Sequence, residues 1–153
     1  GKYYLNNGGA GKSKTHKFIV FNKIISENLF RLGIPKGDKT CQHFEVPKWV
    51  LESKSFSREY LKIAFFCEGS NKEKRKNPRI TINIAKTDEF LDSGIKFMET
   101  LKAMLKYFNI KSTKCYIGKG RLRSRDNKIS KDIRFRIITE DNNIFINEIG
   151  WLK

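Results

Sequence analysis

Glu68 closes an unbroken apolar run, Ile63-Ala-Phe-Phe-Cys67, and is followed at once by Gly69 and Ser70. The spacing upstream predicts a helix, so this carboxylate stands at a helix C-terminus, where the backbone dipole already places negative charge. An acid there, beside apolar surface, needs a counter-charge. A lysine paired from elsewhere in the chain would supply one, and so would a hydrated divalent cation. With a cation, the chemistry open to Glu68 is activation of water against a phosphodiester.

Composition points to the same class of partner. Lysine and arginine number 32 against 16 acids, a formal charge of +16 and a pI near 9.9. Such an excess favours nucleic acid. A membrane surface is the rival polyanion, but the chain has no apolar span of about 18 residues and no strongly basic amphipathic helix. With 39% hydrophobic and 12% aromatic residues in 153, the chain can bury a core of its own. Cys41, Cys67 and Cys115 are too scattered for a disulfide framework, and the two histidines are isolated. They read as reduced packing residues, and zinc is not expected. The absence of a signal peptide places the expected protein in the cytoplasm, associated with the nucleoid. Because the sequence starts at Gly1, it reads as a processed start or a piece of a longer protein. Gly8-Gly-Ala-Gly-Lys-Ser13 resembles a phosphate loop, but Asn6 stands where the first glycine belongs and the loop joins two strands.

The elements that must position Glu68 follow from periodicity. Lys2–Leu5 and His16–Phe21 read as strands, followed by a helix over about Asn22–Leu32. From Lys36 to about Ser55 the chain is polar and turn-rich, with Phe44, Val46, Trp49 and Val50 as an apolar anchor. Ser57 is expected to cap the helix ending in Glu68, with Phe56 and Leu61 as a hydrophobic staple. Arg79–Ala85 alternates strictly, Ile80, Ile82 and Ile84 against Arg79, Thr81 and Asn83. A helix over about Asp88–Phe108, strands over Lys114–Lys119 and Asp132–Thr139, and a last helix to about Gly150 complete the pass. The fold class is α+β.

The chain also repeats. Phe18-Ile-Val-Phe-Asn…Leu32-Gly-Ile34 aligns without a gap on Phe135-Arg-Ile-Ile-Thr…Ile149-Gly-Trp151. Three parts are therefore expected: residues 1–35 as the closing β-β-helix of a preceding copy, 36–56 as a linker, and 57–153 as a complete helix-β-β-helix-β-β-helix unit.

These residues resemble the LAGLIDADG homing endonucleases, the intein- and intron-encoded nucleases. Leu61-Lys-Ile-Ala-Phe-Phe-Cys-Glu-Gly69 is similar to the nine-residue signature, with Glu68 at its last acid, and Leu32-Gly-Ile-Pro-Lys-Gly-Asp-Lys39…Val46-Pro-Lys-Trp49 looks like the segment joining two copies in archaeal members. The resemblance implies an αββαββα unit and site-specific, Mg²⁺-dependent hydrolysis of double-stranded DNA. It makes Glu68 and Gly69 the metal-holding residues and Lys39, or Lys36, a catalytic lysine, with Lys153 at the corresponding place in the second copy. One acid per copy implies a second motif helix, from a homodimer or a missing N-terminal repeat. The sheet would read the groove through Arg79, Thr81, Asn83 and Lys86, with Arg134, Arg136 and Lys17 at matching places. Arg121, Arg123 and Arg125, in a hairpin loop, suit phosphates. Phe66 departs from the pattern where an acid is frequent, as do Lys62 and Ile63 where small residues let motif helices cross. An inactive DNA-binding module, or an RNA-binding splicing helper on the same fold, is the alternative.

Overall fold

The computed structural model describes residues 2–7, 14–19, 21–71 and 79–150, with side-chain detail over 21–70 and 79–150. The phosphate-loop-like stretch 8–13 and Lys153 lie outside the described residues, as does the side chain of Lys17.

Two compact units divide at Leu32. In the first, β1 (Lys2–Asn7) and β2 (Lys14–Ile19) form an antiparallel hairpin, followed by α1 (Lys23–Arg31). Asn22 caps α1, its Oδ1 accepting from the Ile25 amide at 3.1 Å. No residue of α1 is buried.

The second unit carries the core. Its elements are α2 (Lys48–Leu51), α3 (Lys54–Glu68), β3 (Gly69–Asn71), β4 (Ile80–Thr87), α4 (Leu91–Lys106), β5 (Tyr116–Ile117), β6 (Arg121–Leu122), β7 (Ile129–Arg136) and α5 (Asn142–Glu148). The sheet is antiparallel in the order β3-β4-β7-β5, with β6 also pairing β7. The α+β class is borne out.

One face of the sheet is apolar and covered. Ile80, Ile82 and Ile84 from β4 and Ile133 and Phe135 from β7 bury against Leu61 and Phe65 of α3, Leu101 and Leu105 of α4, and Phe145 of α5. This is the period-two pattern meeting helical stripes, the arrangement an antiparallel sheet with one wet face requires. α4 crosses the sheet at Gly94: a β-carbon there would lie 2.5 Å from Ile133 Cδ1 and 2.6 Å from Lys86 Cγ.

Several local expectations are corrected. Ser53 caps α3, accepting from the Ser55 and Phe56 amides at 3.1 and 3.4 Å. Ser57 lies a turn inside, buried, its hydroxyl donating to the Val50 carbonyl at 2.9 Å. With the helix starting earlier, the staple does not form: Leu61 is buried while Phe56 is half exposed, edge-on to Trp49. The segment 36–56 belongs to the second unit, and Val46 and Val50 of its apolar anchor lie in the core. α4 begins after a 3-10 turn, Asp88–Phe90, and ends at Lys106.

Candidate functional site

Glu68 is the last residue of α3, and Gly69 leads directly into β3. The counter-charge it needs arrives from 29 residues upstream: the Lys39 ammonium donates to Glu68 Oε1 in a close ion pair. Lys39 opens a 3-10 turn, Lys39–Cys41, whose cap is Asp38, with Oδ1 accepting from the Thr40 amide at 3.0 Å. Both partners remain partly open to solvent. The structure thus brings together the acid and one of the two expected lysines.

For a divalent cation these residues make half a site. Glu68 offers one carboxylate at a solvent-reachable helix end, and no cluster of three candidate ligand atoms among the described residues includes it. Such a cluster does exist elsewhere: Asp38, Cys41 and Asp126 offer ligand atoms within 4.8 Å of one another. Its charge is already answered. Arg123 and Arg125 both pair with Asp38, and Arg123 also reaches Asp126 at 3.3 Å. A cation there would have to displace guanidinium groups.

The same pairs correct a site expectation. Arg123 is only 14% exposed and is committed to two carboxylates, so it is an internal tie and not a phosphate contact. Arg121 and Arg125 are mostly exposed, paired with Asp132 and Asp38 respectively. Each keeps guanidinium donors beyond a single carboxylate bond.

Lys86 is corrected more sharply. It was expected on the groove face, but β4 continues to Thr87, so even-numbered positions keep pointing into the core. Lys86 is fully buried. Its ammonium donates to the Lys39 carbonyl at 2.6 Å and the Gln42 carbonyl at 2.5 Å, and sits 4.0 Å from the centre of the Phe44 ring. Burial is the main cause that lowers its pKa from 10.5 to about 8, with nearby Lys39 adding to the fall and Cys41 opposing it.

Between about pH 8 and 10.5 the unfolded chain holds a proton at Lys86 that the folded chain has released. The contribution of this group therefore rises with pH across that window, on the order of 1–3 kcal/mol. Denaturant titrations at pH 7.5 and 9.5 should show the rise in the wild type relative to Lys86→Met. Parallel pH dependence in the two proteins would contradict it.

The open face of the sheet carries the other expected residues. Arg79, Thr81, Asn83, Arg134 and Arg136 line a trough of about 740 Å³. The register explains the grouping, because Thr81 stands opposite Arg136 and Asn83 opposite Arg134. Tyr116, which the sequence reading did not single out, pairs with Arg134 in the ladder, and the Arg134 guanidinium lies 4.6 Å from its ring centre. Asn83 Oδ1 is buried without a hydrogen-bond partner among the described residues. Cys115 also lines the trough, and burial followed by the hydrogen bond to Glu99 pushes its thiol up to about 11, so it stays protonated and unreactive near neutrality. No described helix is long and apolar enough to cross a membrane.

Comparison with known proteins gives relatives in archaea under three different names. The chain is 31% identical over 106 residues to a tRNA-splicing ligase RtcB of Pyrococcus abyssi, a match covering 67% of this chain and 12% of that protein. It is 29% identical over 117 residues to the DNA-directed RNA polymerase subunit Rpo1N of Methanocaldococcus jannaschii, covering 73% and 9%. The replication factor C small subunit of the same organism is 29% identical over 104 residues, covering 66% and 6%. The chain thus spans about an eighth or less of the length of these relatives. No family model and no solved structure matches it.

Proposed function

We propose that this chain is a duplex-DNA-binding part of a LAGLIDADG-type homing endonuclease that supplies one of two catalytic acids. The observation that carries the reading is the Lys39–Glu68 pair at the end of the signature-like helix. The element order of the second unit, α-β-β-α followed by strands and a closing helix, agrees with it. The relatives support it in another way. A ligase, a polymerase subunit and a replication factor have no common reaction, and the similar stretch is a small share of each. A mobile segment inserted into unrelated proteins would leave that pattern.

The outer side of α3 also fits. Phe56, Ile63 and Phe66 are 50%, 50% and 51% exposed, at helical spacing opposite the buried Leu61 and Phe65. A second motif helix packed there would cover this apolar stripe and deliver the missing carboxylate. Glu68 and the adjoining Gly69 carbonyl would hold Mg²⁺, whose charge lowers the pKa of bound water and offsets charge on the scissile phosphate. With a cation answering Glu68, the Lys39 ammonium would be available to phosphate oxygens. The sheet residues set the register of the duplex: Arg134 and Arg136 project from neighbouring turns of the pleat, the geometry of a ribbon in the major groove.

A second reading takes the same pair as complete in itself. The direct Lys39–Glu68 contact already satisfies the acid, as a binding module without chemistry would need. Incubating the full chain with a randomised duplex library and Mg²⁺ separates the two: cut ends at discrete sites support the nuclease. Salt-sensitive duplex binding without cuts by a chain that dimerises, so that two acids are present, selects the module, and binding confined to folded RNA overturns both. Arg134→Ala and Arg136→Ala should each weaken duplex binding by about 1–3 kcal/mol and lower the salt slope by about one. Unchanged slopes in both variants would remove the open sheet face from the interface.

A further inference from the structure

We infer that Lys86 is the positioning residue for Lys39, holding from beneath the turn that sets the Lys39 ammonium against Glu68. The catalytic meaning of this placement rests on the function proposed above; the placement itself does not.

A fully buried ammonium costs free energy unless it is well partnered, and a methionine of similar length would fill the same space without that cost. The partners Lys86 has are not general packing groups. Its two carbonyl acceptors belong to Lys39 and to Gln42, the first residue of the turn and the residue that closes it. One ammonium thus ties both ends of the Lys39–Cys41 turn to the core strand β4. The Phe44 ring, two residues further on, lies 4.0 Å below the same charge and is edge-on to Phe97 of α4, with centroids 4.7 Å apart. Thr87 adds a weak bond from its hydroxyl to the Thr40 carbonyl at 3.4 Å. Gly94 leaves the room that the lysine stem requires.

The charged and titratable groups around Lys86 are few. Lys39 and Cys41 come from the turn. Lys131 stands opposite in the ladder, with its own charge answered by Asp88 at 2.8 Å. Among the described residues no carboxylate hydrogen-bonds or ion-pairs with Lys86, and the backbone carbonyls and the ring hold its charge. Those contacts have a direction, and they fix the path of the backbone at Lys39. A lysine side chain is long and flexible, so the position of its ammonium depends on where that backbone is anchored.

The test reads the placement without needing cleavage. Carbodiimide treatment of the full chain joins an ammonium to a carboxylate already in contact, forming an amide that mass spectrometry of the peptides quantifies. The Lys39–Glu68 link should form in the wild type and fall about tenfold in Lys86→Met, since coupling follows proximity. The Lys102–Glu99 pair, 2.8 Å apart within α4, serves as the unchanged internal standard. Phe44→Leu, which removes the ring but keeps an apolar side chain, should give an intermediate loss, and it carries the test if Lys86→Met does not fold. Where cleavage is measured, Lys86→Met should lower kcat on the order of 10- to 100-fold and leave duplex affinity unchanged. An undiminished Lys39–Glu68 link in folded Lys86→Met, or no such link in the wild type, overturns the inference. Loss of the link in a protein that never cuts DNA supports the positioning role and overturns the nuclease reading instead.

Discussion

Glu68→Gln is expected to lower Mg²⁺-dependent duplex cleavage on the order of 10³-fold while duplex affinity stays within about twofold. The amide keeps the size and one oxygen of the side chain but carries no charge. It cannot neutralise a divalent cation, and it offers the Lys39 ammonium a neutral acceptor in place of the carboxylate's charge. Binding should survive because Thr81, Asn83, Arg134 and Arg136 stand on β4 and β7, on the sheet face opposite the one packed by α3. Single-turnover cleavage and equilibrium binding on the same duplex provide the check. Cutting at the wild-type rate would exclude Glu68 from the chemistry and leave the pair with Lys39 as an ordinary helix-end ion pair.

The largest stability effect is expected from Phe65→Ala, about 3–5 kcal/mol by chemical denaturation. Phe65 is fully buried one turn before Glu68. Its ring centre lies 4.7 Å from that of Phe145 on α5 and 6.2 Å from that of Phe135 on β7. It is the point where α3, α5 and the sheet meet, so truncation leaves a cavity with three rigid walls that cannot all collapse into it. Phe66→Ala, the next residue but half exposed, should cost far less in the isolated chain. Equal losses at the two positions would mean that the exposed stripe of α3 is already covered in solution.

These contrasts show where local pattern sufficed. Strict alternation in Ile80–Ile84 marked a sheet with one apolar face, and β4 has it. The recurrence of Leu91, Ile95, Met98, Leu101, Leu105 and Phe108 at spacings of three and four marks the helix that is α4, and Met98, Leu101, Leu105 and Phe108 are buried. Both patterns depend on side chains a few residues apart meeting the same environment, and the backbone period alone decides that. The alternation even held the answer for Lys86: an even position in a strand that does not end at Ala85 points inward. Charge suggested the opposite, because a lysine is so seldom buried.

Other features had no local signal. Ser53 and Ser57 are both competent caps; Ser53 starts α3, and the Ser57 hydroxyl goes to the Val50 carbonyl. Arg121, Arg123 and Arg125 look alike in a basic hairpin, yet Arg123 is drawn inward by Asp38, which lies 85 residues away. The segment 36–56 reads as a polar connection, because what its few apolar residues pack against lies in distant elements.

Local pattern was enough for α3, α4, α5, β4, β5 and β7, the strong positive charge, the acid at the end of an apolar helix and the basic, polar face of the sheet. Tertiary structure alone decided which lysine meets Glu68 and which lysine is buried beneath it. The physical reason is that an ion pair is a relation between positions, not a property of residue types. With 32 lysines and arginines available, only the folded path of the chain selects Lys39 to face the carboxylate and Lys86 to hold the turn that carries it.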